Sequence, residues 1–163
     1  MNDLISTLIT GVGATALMDC WGFARKPLLG VAAPDYGLVG RWIGHMAHGQ
    51  FRHDAITKSP AIRGERLLGW TTHYLIGITF ASMLIGMWGT AWLQHPTLVP
   101  ALIVGVGTVA APFLLMQPGM GAGIAASRTP KPNAARLQSL IMHTVFGVGL
   151  YAAGWVNHGL NFA

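Results

Sequence analysis

The sequence predicts an all-α integral membrane protein whose four transmembrane helices form two parallel two-helix repeats. Three observations predict it. Apolar residues make up 52% of the 163 residues and charged residues only 9%, against about 25% charged in an average soluble domain. Four apolar stretches satisfy the requirement of roughly 20 residues for a helix to cross a bilayer. Every Lys and Arg falls in only two of the connections between those stretches.

The first stretch runs from about residue 4 to 23. Leu17-Met18-Asp19-Cys20 evokes a lipoprotein cleavage site. Met1 to Ser6 has no basic n-region, however, and Met18-Asp19 are poor small-residue substitutes, so the stretch is read as a retained span. The second runs from about 67 to 93, the third from about 98 to 117, and the fourth from about 137 to 157. Only Gln94-His95-Pro96-Thr97 separates the second from the third. The cytoplasmic loop, about 29 to 65, carries most of the polarity. Within it Tyr36 to Met46 reads as an amphipathic helix on the inner surface, although three glycines weaken any regular helix there. Residues 51–64 have loop chemistry.

The net charge of +5 does not indicate nucleic acid. Arg25, Lys26, Arg41, Arg52, Lys58, Arg63 and Arg66 flank the first two spans, and Arg128, Lys131 and Arg136 flank the last two. Neither set is a dense phosphate-tracking run. The positive-inside rule puts both long connections in the cytoplasm and both termini outside. Trp88, Trp92 and Trp155 then form part of an outer aromatic belt. The single cysteine, Cys20, excludes an internal disulfide.

The halves echo one another. Leu8-Ile9-Thr10-Gly11-Val12-Gly13 matches Leu102-Ile103-Val104-Gly105-Val106-Gly107, and Arg66-Leu67, His73 and Gly77 match Arg136-Leu137, His143 and Gly147. Two-helix repeats return the chain to its starting side, so the repeats are parallel, related by an axis along the membrane normal.

Candidate chemistry centres on His73 and His143, each seven residues from a cytoplasmic Arg, about 10 Å deep at 1.5 Å per residue. Facing a shared axis, they could ligate one transition metal or the two sides of a haem iron. Asp19, at similar depth, supports them as a metal ligand or joins them in a proton relay. Gln117 precedes Pro118 and three alternating glycines, Gly119, Gly121 and Gly123. A break near Gln117-Pro118 is therefore expected, of the kind that lines transport sites. Met116 and Met120 are weaker copper candidates. His45, His48 and His53-Asp54 lack the acidic or Cys company of a metal site, so solvated loop histidines are the better account.

Nothing favours hydrolysis, since neither a phosphate loop after a strand nor a nucleophile elbow is present. Enzymatic activity is accordingly not expected. Three readings stay open: a metal- or haem-binding protein, a proton-coupled carrier, and a structural subunit. The expected surroundings are the lipid bilayer with a homo-oligomer or larger membrane complex.

Asp35-Tyr-Gly-Leu-Val-Gly-Arg-Trp-Ile-Gly-His, Gly64-Glu-Arg with Gly69-Trp70 and His73-Tyr74, and Pro112 through Pro130 together resemble a bacterial membrane-protein family, domain of unknown function 2938. The resemblance covers nearly the whole chain. It implies a bacterial inner-membrane protein and supplies no reaction, substrate or cofactor.

Overall fold

The computed structural model describes residues 2–162, with side chains described through residue 160. It is all-helical: α1 Asp3–Leu29, α2 Tyr36–Met46, α3 Glu65–Trp88, α4 Ala91–Gln94, α5 Leu98–Gly107, α6 Gln117–Gly119 and α7 Pro132–Phe162. Four stretches are long and apolar enough to cross a membrane: Asp3–Leu29, Glu65–Trp88, Leu98–Gly119 and Pro132–Leu160. Only 22% to 44% of their most apolar windows is buried within the protein. Side chains such as Leu67 and Val99, 74% and 67% exposed, are therefore left to face a solvent, and lipid is the solvent they suit.

The helix ends differ from the sequence expectation: the helix of the fourth span runs from Pro132 rather than from about 137, and the ends of the first two spans differ for local reasons. The first helix continues to Leu29, where Gly30 at φ 68° caps it by donating its N–H to the Arg25 and Lys26 carbonyls. The second span stops at Trp88 rather than near residue 93. Gly89 takes φ 79° and donates to the Ile85 carbonyl at 2.7 Å, a left-handed stop.

The third span ends close to the expected place, at Gly119, and departs from regular helix before it. Pro112 has no N–H to give the Thr108 carbonyl, and the chain answers with a wider turn over Pro112–Met116, in which the Gln117 N–H reaches back to the Pro112 carbonyl. Gln117 and Pro118 themselves are helical, in α6.

The chain forms two compact units. Unit 1 comprises residues 1–33, 74–108 and 141–163. Its core is built around Ala14, Ala81, Leu84, Val104, Phe146 and Leu150, with the Phe80 and Phe146 rings edge to face at 6.1 Å. Glycine brings the backbones together. A Cβ on Gly11 would lie 2.6 Å from the Ile78 Cα and 3.1 Å from the Gly77 carbonyl oxygen. One on Gly105 would lie 2.6 Å from the Gly147 nitrogen and 2.8 Å from the His143 oxygen. Without hydrocarbon-expelling water between spans, such close backbone packing is a main source of attraction.

Unit 2 comprises residues 34–73 and 109–140. Helix α2 forms despite its glycines because they serve contact. Gly40 meets the Glu65 carbonyl and Gly69, leaving no room for a side chain. Asp35 caps the helix by accepting from Gly37 N–H at 2.9 Å. Arg41 then forks onto Glu65, both N–O distances being 2.8 Å, and donates to the Ile56 and Ser59 carbonyls at 3.4 and 3.1 Å. The fork is the strong form of ion pair, and it fixes the loop over 56–59 to the start of α3.

The two kinds of glycine in α5 give a direct test. Gly105→Leu must push two helices apart and should cost about 1–3 kcal/mol. Gly107→Leu, with nothing within 4 Å of the new Cβ, should cost little. Unfolding midpoints in detergent measure both.

Candidate intramembrane polar site

Unit 1 buries a carboxylate. Asp19 on α1 is 7% exposed, and the Tyr74 hydroxyl of α3 hydrogen-bonds to it. A buried carboxylate is costly without such a donor, and the phenol supplies one while its ring stays apolar. Six residues on, Arg25 is also buried, 6% exposed, and its Nη2 donates to the Ala32 carbonyl at 2.6 Å. Asp19 and Arg25 are thus held in one unit, each through a hydrogen bond of its own.

His143 is the second buried polar group of unit 1. Its Nδ1 lies 3.1 Å from Thr108 Oγ1 and 3.2 Å from the Gly105 carbonyl oxygen. Thr108 already donates its single proton to that same carbonyl at 2.7 Å. Both neighbours therefore act as acceptors toward Nδ1, which must carry the ring proton. The ring ties α7 to α5 beside the Gly105–Gly147 contact. A Nδ1–H on a carbonyl is also how a protein orients a histidine that uses its other nitrogen.

His73 lies in unit 2. Its ring stacks on Tyr36 at 4.0 Å between centroids, with 22° between planes, and meets Trp70 edge-on at 5.9 Å. Gln117 is in unit 2 as well; its Nε2 donates to Ser139 Oγ at 3.4 Å, while its buried Oε1 has no partner among the described residues. The sequence candidates thus divide as Asp19 and His143 in one unit, His73 and Gln117 in the other. Among the described residues no group of three or more His, Cys, Asp and Glu side chains gathers as a metal shell.

Tyr74 and Thr108, the groups that hold Asp19 and His143, are not among the candidate site residues the sequence singles out. Tyr74 directly follows His73, and its polar tip in an apolar run was the available signal. Thr108 carries the only side-chain hydroxyl of residues 98–119, but nothing in the chain says which helix it faces.

A family model described as protein of unknown function, DUF2938, matches residues 8–157. The chain belongs to this family. The matched segment takes in Asp19, Tyr74, Gln117 and His143, so the DUF2938 domain contains the whole polar constellation. No curated protein matches the chain, and no solved structure does.

Two loop histidines of this DUF2938 protein, His45 and His53, are held by partners, while His48 is exposed. His45 has both ring nitrogens engaged, Nδ1 with Gln50 Oε1 and Nε2 with the Pro60 carbonyl, each at 3.0 Å. These acceptors hold its pKa above the ordinary histidine value. His53 is 8% exposed; burial, with the nearby His45 adding to it, pushes its pKa down.

The two act in opposite directions on stability. His53, depressed in the fold, contributes stability above its unfolded pKa of about 6.5 that is lost as pH falls. His45, raised in the fold, contributes stability that is full below about 6.5 and is lost as pH rises. On acidification through that window, His53→Asn should therefore lose less stability than wild type and His45→Asn should lose more, read as unfolding midpoints against pH.

Proposed function

We propose that this protein moves protons across a bacterial inner membrane, with Asp19 as the group that accepts and releases them. The observation that carries the reading is a buried carboxylate on an apolar helix, hydrogen-bonded to a tyrosine of the next span. Ionisable groups inside a membrane span are expensive and mark ion or proton pathways more often than packing. The wide turn at Pro112–Met116 adds support, since departures from regular helix in spans accompany movement and binding.

In this reading the two basic connections lie in the cytoplasm and both termini outside, as the charge distribution favours. Duplication of a two-helix unit fits the packing. Gly11 meets Gly77, and Gly105 meets Gly147. The first and third of these glycines are equivalent in the sequence echo, and so are the second and fourth. One contact therefore recurs in both halves.

The test is proton flux into liposomes that hold purified protein and an internal pH dye, driven by a potassium diffusion potential. Wild type should acidify the lumen faster than empty vesicles, Asp19→Asn should fall to the empty rate, and Tyr74→Phe should lie between them. Equal flux in wild type and Asp19→Asn, or none above empty vesicles in wild type, contradicts the proposal and leaves a structural subunit as the better account.

A further inference from the structure

Unit 2 holds an open cavity of about 720 Å³, within the usual range for small-molecule sites. Its lining includes three cations, Arg52, Lys58 and Arg128, against one carboxylate, Asp54. The surplus of positive charge draws an anion, and a concave wall focuses that field. Ser59 and Ser127 add hydroxyls to the lining.

The walls are tied down on several sides. The His53 N–H donates to the Gly119 carbonyl at 2.9 Å and the Ile56 N–H to the Met120 carbonyl at 3.0 Å, so the loop over 50–59 is laced to the end of the third span. Trp42 Nε1 donates to the Phe51 carbonyl at 2.9 Å, and Arg41 grips the Ile56 and Ser59 carbonyls as described. On the opposite wall, Ala125 and Ala126 both take positive φ, 47° and 58°, between the lining residues Ile124 and Ser127. Arg136 Nε holds this strained pair by donating to the Ala125 carbonyl at 2.8 Å. Left-handed alanines persist only where surrounding structure demands them, and they concentrate at functional sites.

A second observation points to a ligand. His53 lines the cavity and is 8% exposed. Its Nδ1 pairs with Ser59 Oγ at 2.9 Å, and its Nε2 has no hydrogen-bond partner among the described residues. That buried nitrogen belongs to the wall of a cavity whose lining carries three cations, and a polar atom of a ligand would complete it.

We infer that this cavity is a binding site for a phosphate ester, held through its phosphoryl oxygens by Arg52, Lys58 and Arg128 and reached by His53. Three cationic donors against a single carboxylate suit a group that offers three or four oxygens, whereas a carboxylate offers two. Ala55, Pro118 and Ile124 supply an apolar side for the organic part of the ester. Pro118 belongs to the last turn of a membrane-spanning stretch, so a phospholipid headgroup and a free phosphate ester both have access.

The experiment follows the thermal unfolding of the purified full chain in a neutral detergent. One arm adds inorganic phosphate, and the other adds phosphatidic acid at fixed detergent. The variants are Arg52→Ala with Arg128→Ala together, and Arg63→Ala as a charge control outside the cavity. One probe should raise the wild-type midpoint, and the double variant should need about tenfold or more of that probe for the same rise, given the usual strength of charge-assisted hydrogen bonds. Arg63→Ala should respond as wild type. A response to phosphate identifies a free ester, and a response to phosphatidic acid alone identifies a lipid; either supports the site. No midpoint rise with either probe, or an equal loss of response in Arg63→Ala, overturns it. Midpoints without ligand show that each variant still folds.

Discussion

Hydrocarbon offers a peptide group nothing to hydrogen-bond with, so each span must satisfy its own backbone and every buried polar side chain must find a partner nearby. Much of the structure follows from this constraint. It leaves helix as the only local form, and it removes the hydrophobic drive that packs helices in water. Contact then rests on backbone approach. Gly11 against Gly77 and Gly105 against Gly147 provide it, and each pair admits no side chain. Where the backbone ladder fails, at Pro112, the chain widens its turn and closes a longer hydrogen bond, leaving the stretch intact.

The same constraint gives the polar residues their meaning. His143 is held through a Nδ1 proton shared between Thr108 and the Gly105 carbonyl, a tie that costs the bundle no unsatisfied group. Asp19 has its Tyr74 hydroxyl, yet a carboxylate can change charge in a way that a threonine cannot, and the proton proposal rests on that difference. The cations mostly avoid the apolar unit altogether. All but Arg25 and Lys26 belong to unit 2, where Arg41 braces a loop and Arg52, Lys58 and Arg128 surround a cavity. Charge thus serves two purposes in one chain: its distribution sets the proposed orientation, and its local clustering creates the anion site.

The existence of four spans was legible from hydropathy alone, because the solvent requirement is written in nearly every residue of a span. Their ends were less so. Gly89 ends the second span in a left-handed turn, but glycines are so frequent in these helices that one stop cannot be told from a packing contact. The three glycines of Tyr36–Met46 argued against a helix for the same reason, and only the Glu65 and Gly69 backbones beside Gly40 explain them. A break in the third span was expected near Gln117-Pro118, and the helix does end just beyond, at Gly119; the wide turn that starts at Pro112, whose missing donor falls within the span, was not expected. Partners were the least legible part. Asp19 and Tyr74 lie far apart in the chain, as do Arg52 and Arg128, and periodicity along one helix carries no information about which neighbour it meets.

The side of the membrane that the basic connections occupy decides both the headgroup route to the cavity and the direction of proton entry. Single cysteines placed at the exposed positions Gln94 and Thr57, in a Cys20→Ser background, can be labelled in whole cells with a membrane-impermeant maleimide. The proposed topology predicts that the position 94 cysteine reacts in intact cells and that the position 57 cysteine reacts only after the membrane is opened. Labelling at 57 from outside intact cells would contradict it.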